Sequence, residues 1–460
     1  VRKFIGDKKF YLMVLSIAIP IMIQNGITNF VALLDNIMIG RIGTEQMSGA
    51  AIVNQLIFVY NLCIFGGVAG AGIFTAQFFG QNNVEGVRQT VRFKLWTVIV
   101  LNIITISLLL IKGEALILLF LTGEGEVSSI EQTLQYGEQY LMIMLLGLPA
   151  FALVQVYAGT LRECGKTVLP MVAGLVSVGT NLVLNYILIY GKFGAPVLGV
   201  KGAAIATVIA RYVECIIVVV VTHHQSKEYP FALGLYRTLL LPRDLTKKIF
   251  VKGLPLLVNE TLWSLGMSAL VQCYSIRSID VVAAFNISNT IANVFNIVFI
   301  ALGDAVAIIV GQYLGAGKMK EARDADNKLI AFSVMCCTGI AIIMFILAPL
   351  FPNLYNTSKD VKELATNLIR AFAVFLPQSA FMHATYFTIR SGGKTLITFL
   401  FDSVFVLVIS VPLAFVLSRY TVLPMLVIFV CVQLADLIKC GIGFILVKKG
   451  VWMQNIVADA

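Results

Sequence analysis

Long apolar runs, broken by short clusters of charge, Gly and Pro, set the rhythm of this chain. Crossing the roughly 30 Å hydrocarbon core of a bilayer takes about 20 apolar residues of helix. Six stretches of about that length or more carry no charge: Phe10 to Leu34, Gln139 to Leu161, Thr167 to Gly191, Val281 to Gly303, Leu329 to Ser358 and Ala371 to Ile389. The other runs are delimited by Gly, Pro and charged residues. Together they predict twelve membrane helices beginning near residues 10, 48, 93, 136, 167, 202, 250, 281, 328, 363, 395 and 421. The expected fold is all-α and polytopic, with twelve transmembrane helices in two pseudo-symmetric six-helix lobes.

The longest polar stretch, roughly His223 to Lys248, falls between helices 6 and 7 and divides the chain into lobes 1–228 and 229–460. The two halves repeat. At an offset of 235 residues Pro20 meets Pro255, Asn54 meets Asn289, Gln77 meets Gln312, Gly80 meets Gly315 and Arg88 meets Arg323. At an offset of 228 Pro149 meets Pro377, and Leu161-Arg-Glu-Cys-Gly-Lys-Thr167 meets Ile389-Arg-Ser-Gly-Gly-Lys-Thr395. Each half has an even number of spans, so the repeats run parallel. Parallel repeats predict a substrate cleft between the halves near the midplane and suit alternating access.

Composition agrees, with 59% hydrophobic and only 13% charged residues, too few charges to cover a soluble surface. The net charge of +10 suggests nucleic acid only until the basic residues are placed. They cluster in loops, 23 on the set of flanks holding both termini (Arg2 and Lys3 among them) and 8 on the other, Arg277 included. Positive charge lies inside, so both termini are expected in the cytoplasm of a plasma-membrane protein, with no nucleic-acid partner. The short basic start, Val1 to Lys9, reads as the flank of a retained helix rather than a signal peptide. Eight cysteines show no CxxC spacing and imply neither disulfide framework nor metal site. No GxxxxGK[ST], HExxH or GxSxG motif is present, so neither an ATP-driven pump nor an enzyme is expected.

Ionisable residues inside the bilayer are expensive and mark function. Arg211 with Glu214, and Asp436 with Lys439, are spaced i,i+3 and read as self-neutralising pairs. Asp402 is placed near enough to the cytoplasmic end to reach headgroup water. Asp304 lacks an evident local partner, His383 with Tyr386 nearby reads as a hydrogen-bonded core residue, and His223 and His224 read as solvated. Asp35, at the extracellular end of helix 1, and Glu260, in helix 7, differ from these. Their repeat partners are Leu270 and Asn25, so the halves share scaffold residues but not these acids. A carboxylate held away from water takes a proton more readily, and one ringed by amide and hydroxyl oxygens can hold sodium. Asn181 and Asn185, one helical turn apart, and Thr207 offer such oxygens, with interhelical hydrogen bonding as their alternative use. Pro20, in the middle of helix 1, is a candidate hinge. No cofactor is expected, and no metal beyond a sodium ion at Asp35.

The run Asp35-Asn-Ile-Met-Ile-Gly-Arg-Ile-Gly43, the pair Ala76-Gln-Phe-Phe-Gly80 and Gly311-Gln-Tyr-Leu-Gly315, and Gly253-Leu-Pro-Leu-Leu-Val-Asn-Glu260 resemble the multidrug and toxic compound extrusion family along the whole chain. The resemblance implies a cation-coupled antiporter, a monomer, that exports organic and often cationic drugs in exchange for protons or sodium, with Asp35 and Glu260 as coupling acids. Some members carry Asn-x-x-x-Asp in helix 5, where this chain has Asn181 and Asn185. Others carry a helix 10 aspartate, absent between Ala371 and Ile389. Both departures leave the coupling ion open. A lipid-linked oligosaccharide flippase of the same superfamily is the alternative. It calls for a basic central cavity, whereas the unpaired midmembrane residues here are acidic. A membrane-embedded enzyme would need a catalytic motif.

Overall fold

A computed structural model describes residues 4–121, 127–275, 279–355 and 357–458. Arg2, Lys3 and Arg277 of the charge count lie outside the described residues. The chain is helical throughout: α1 (Lys8–Gly40), α2 (Thr44–Gly80), α3 (Val84–Leu121), α4 (Val127–Glu163), α5 (Val168–Tyr190), α6 (Val200–His224), α7 (Arg243–Ser275), α8 (Ile279–Gly315), α9 (Met319–Leu347), α10 (Lys359–Ser391), α11 (Thr395–Phe399), α12 (Val411–Tyr420) and α13 (Met425–Lys449). Two π-helical turns, Leu400–Val404 and Val406–Ser410, join α11 to α12, so that Thr395 to Tyr420 forms one span. Twelve long helical segments result among the described residues, as the apolar runs predict. Among the described residues, eleven of these are long and apolar enough to cross a membrane. The twelfth, α10, falls short of that because its apolar part is interrupted by Gln378, Ser379, His383, Thr385 and Thr388.

Several helices overrun the apolar runs that predict them. The 38 residues of α3 would extend about 57 Å at 1.5 Å per residue, well beyond a hydrocarbon core. Its first turns, expected as loop, are helix from Val84. Leu108, Ile111, Leu119 and Leu146 are exposed on the helix surfaces, as lipid-facing residues are. Pro20, Pro149, Pro255 and Pro377, the two repeat pairs, all sit inside helices.

The chain divides into two compact units. One comprises residues 23–75 and 84–247 and holds most of α1 and α2 with α3 to α6. Within it α5 packs on α6, and α4 on both α3 and α6. The other comprises residues 1–22, 76–83 and 248–460. Here α10 lies against α8, α9 and α13, over a core that includes Val14, Ala18, Leu302, Val306, Leu329 and Trp452.

The repeated Gly-Gln motif has a shared structural use in this second unit. A Cβ on Gly80 would collide with the backbone of Gln312, and one on Gly315 with the backbone of Gln77. Gly80 and Gly315 are repeat partners, as are Gln77 and Gln312, so the ends of α2 and α8 cross in a reciprocal contact that only glycine permits. The carboxy-terminal segment closes over this crossing. The Gln77 side chain donates to Ser391 O (2.9 Å) and accepts from Ile456 N (2.9 Å), and Asn455 donates to Gly315 O (3.1 Å).

Candidate functional site

In the unit built on α3 to α6, four of the expected polar residues meet in one chain of hydrogen bonds. Asn185 Nδ2 donates to Asp35 Oδ1 (2.6 Å) and to Asn181 Oδ1 (3.0 Å). Asn181 Nδ2 donates to Thr207 Oγ1 (3.2 Å), whose hydroxyl donates to Ala203 O (3.0 Å). The geometry follows from helix periodicity, since residues four apart on α5 share a face and that face packs on α6. Asn185 is 1% exposed, Asn181 6%, and Asn185 Oδ1 has no hydrogen-bond partner among the described residues. Asp35 lies inside α1, which continues to Gly40, so it does not cap the helix. Tyr190, at the end of α5, donates to Met38 O (3.1 Å) and ties α5 to α1 beyond the acid.

The second cluster lies in the unit built on α7 to α13 and is assembled differently. Glu260 on α7 has no basic residue within a helical turn on either side, yet Arg390 and Asp402 come within electrostatic reach of it. Asn259, next to Glu260, donates to Asp402 Oδ2 (3.1 Å) and to Tyr386 OH (3.4 Å) and accepts from Ser403 Oγ at Oδ1 (2.6 Å). Asp402 is thus not dissolved in headgroup water: it sits in the first π turn, held by Asn259 and paired with Lys439 at 3.8 Å.

Several local pairings expected from spacing give way to tertiary ones. Lys439 forms its ion pair with Asp402 rather than Asp436, whose Oδ1 has no hydrogen-bond partner among the described residues. Arg211 lies over the Phe151 ring, 5.2 Å from its centroid, and forms no ion pair with Glu214 among the described residues, though the two interact electrostatically. Asp304 does have an interaction partner. His383 packs edge-on against Phe299, and its ring N–H donates to the backbone carbonyl of Ser379. His223 is not simply solvated: its ring bonds Tyr157 OH (2.9 Å) and stacks on Tyr236.

Two buried groups escaped the sequence reading. Lys94 is fully buried on α3, donates to Thr160 Oγ1 (3.1 Å) and pairs with Glu163. Asp326, equally enclosed on α9, accepts from Thr388 Oγ1 at 2.5 Å, and its Oδ2 is unpartnered among the described residues. The signal was present, because Thr160 and Thr388 are repeat partners at the 228 offset.

Two repeated sets of membrane-length helices, each with a half-buried carboxylate on a proline-containing helix, fit the class of a membrane transporter. The chain belongs to the MatE family, whose model matches it twice, at residues 20–187 and 255–416. The two matches start at Pro20 and Pro255, the same pair that opens the internal repeat. Among curated relatives, a probable multidrug resistance protein NorM of Thermotoga maritima is 24% identical, over 96% of this chain and 93% of its own. Multidrug resistance protein MdtK of Pectobacterium atrosepticum is 26% identical over 78% and 77%. Among solved structures, an outward-facing multidrug resistance MATE family transporter aligns with a TM-score of 0.83 at 19% identity, covering 98% of this chain and 97% of that one. A Vibrio cholerae MATE transporter aligns at 0.84 with 16% identity, covering 97% and 98%. These proteins are transporters, not enzymes.

Proposed function

We propose that the chain is a multidrug efflux antiporter, exporting organic and often cationic compounds across the plasma membrane in exchange for protons or sodium ions by alternating access. Lobes 1–228 and 229–460 act as its two halves, both termini are cytoplasmic, and the monomer is the working unit. The relatives named as multidrug resistance proteins support the substrate class. The observation that carries the coupling assignment is the Asp35 cluster: a membrane carboxylate met by neutral amides, with the buried Asn185 Oδ1 unpartnered beside it. Such a site attracts a small cation from outside, a proton on Asp35 or a sodium ion shared among Asp35, Asn185 and Thr207 oxygens. Glu260 is the coupling acid of the other half, and Pro20 the hinge of α1.

One charge moving inward across 100 mV releases about 2.3 kcal/mol, so one or two ions per cycle can drive a substantial drug gradient. Half-buried acids at Asp35 and Glu260 argue against the flippase reading, which needs basic groups for a pyrophosphate. The test is efflux of a fluorescent cation from proteoliposomes with the proton and sodium gradients imposed separately. Efflux should follow one gradient and be lost when Asp35→Asn and Glu260→Gln are combined. Unchanged ion-driven efflux in the double variant would overturn the assignment.

A further inference from the structure

The polar segment between α6 and α7 is folded against α3. Phe231 and Leu235 are buried, and a short 3-10 turn, Pro230–Ala232, shapes the segment. Its carbonyls are held by the start of α3: Arg92 donates to Leu235 O (2.9 Å) and Gly234 O (3.1 Å), Arg88 to Phe231 O (3.3 Å), and Trp96 Nε1 to Leu239 O (3.0 Å). Glu85 pairs with both arginines. These contacts border a half-open cavity of about 340 Å³ between Glu85, Arg88 and Arg92 on one side and Leu233, Gly234, Arg237 and Thr238 on the other.

Two properties of this cavity point to one kind of occupant. The first is charge, since three guanidiniums face a single carboxylate. A guanidinium has five N–H donors, so Arg92, with three bonds, keeps donors to spare, and Arg237 is exposed. Guanidinium forks match phosphate oxygens. The second is the rim. Leu233 is 65% exposed and Leu240 83%, with Tyr236, Leu239 and Trp96 also exposed. In water this apolar edge would carry a penalty, whereas at the boundary between headgroups and acyl chains it is favourable. A free anion would use the arginines and leave the apolar edge unexplained.

We propose that this cavity seats the phosphate headgroup of an anionic phospholipid, with the acyl chains lying along Trp96, Leu239 and Leu240. Basic pockets beside membrane helices recognise anionic headgroups by this chemistry. The site is independent of the Asp35 and Glu260 clusters and of whichever ion drives transport.

Native mass spectrometry of the intact protein, titrated with phosphatidylglycerol or phosphatidylcholine of the same acyl chains, tests it. Phosphatidylglycerol should bind more tightly, and Arg237→Gln should weaken it by about fivefold, the worth of one basic residue at an anionic surface. Arg237→Lys should retain most of the affinity, Leu240→Gln should lose part of it, and Lys449→Gln, a control for general basic charge, should change nothing. Equal binding of the two lipids, equal losses in Arg237→Gln and Lys449→Gln, or full competition by soluble glycerophosphate would each overturn the proposal. Thermal melting of Arg237→Gln at the wild-type temperature keeps a folding defect from imitating the expected result.

Discussion

Asp35 is met by Asn185 and, through it, by Asn181 and Thr207, all of them neutral, whereas Asp402 and Glu260 share their surroundings with Lys439 and Arg390. No ion pair joins Asp35 to a lysine or arginine among the described residues. The first cluster therefore has an acid with no cationic side chain paired to it among the described residues, while the second already contains cations of its own. The repeat sharpens the contrast elsewhere too. Thr160 accepts from a lysine and its partner Thr388 donates to an aspartate, so equivalent hydroxyls serve groups of opposite sign. Duplicated scaffolds can keep their backbone and hydroxyls while their charges diverge, because a hydroxyl both donates and accepts.

If the clusters differ in this way, neutralising their acids should do different things. Asp35→Asn should cost transport most, with ion-driven efflux falling by about 100-fold, equivalent to about 2.7 kcal/mol, while the melting temperature stays near wild type. A collapse of stability instead would make Asp35 structural. Lys439→Met should do the reverse, costing about 2 kcal/mol of stability because it strands Asp402 in a partly buried site. Adding Asp402→Asn should restore most of that loss, and thermal melts of the single and double variants measure the coupling. Asn185→Ala should cost about 1 kcal/mol, the scale of a membrane interhelical hydrogen bond, and also slow efflux. Tyr386→Phe, at the 3.4 Å contact with Asn259, should be smallest, about 0.5 kcal/mol with efflux little changed.

The Asp35 cluster was legible because two local rules suffice for it. Asn181 and Asn185 share a helix face by spacing alone, and the repeat singles out Asp35 by its mismatch with Leu270. The Asp402 network was not legible, because neither a shared helix face nor a repeat mismatch points to its members. An i,i+3 spacing places Asp436 beside Lys439, yet the lysine pairs with an acid on a neighbouring span. The π turns around residue 402 add to the difficulty, since each widens the turn and shifts which face later residues present, and composition does not announce them. Lys94 and Asp326 were missed for a third reason. Apolar runs mark the bilayer, not the helix, so charges in the helical extensions beyond the runs were read as loop residues. The helix count survived all this because it depends only on total apolar length between breaks.

The crossing of α2 and α8 at Gly80 and Gly315 carries a consequence for ancestry. Each glycine meets the glutamine backbone of the other repeat, so the same patch serves both sides of the contact. That is the geometry of an isologous interface, the kind through which two copies of one subunit form a closed pair. A single six-helix ancestor bearing one Gly-Gln patch would have been able to dimerise through it before the two copies were joined. The fused chain still carries that self-complementary seam, and a larger residue at either glycine would break it from one side.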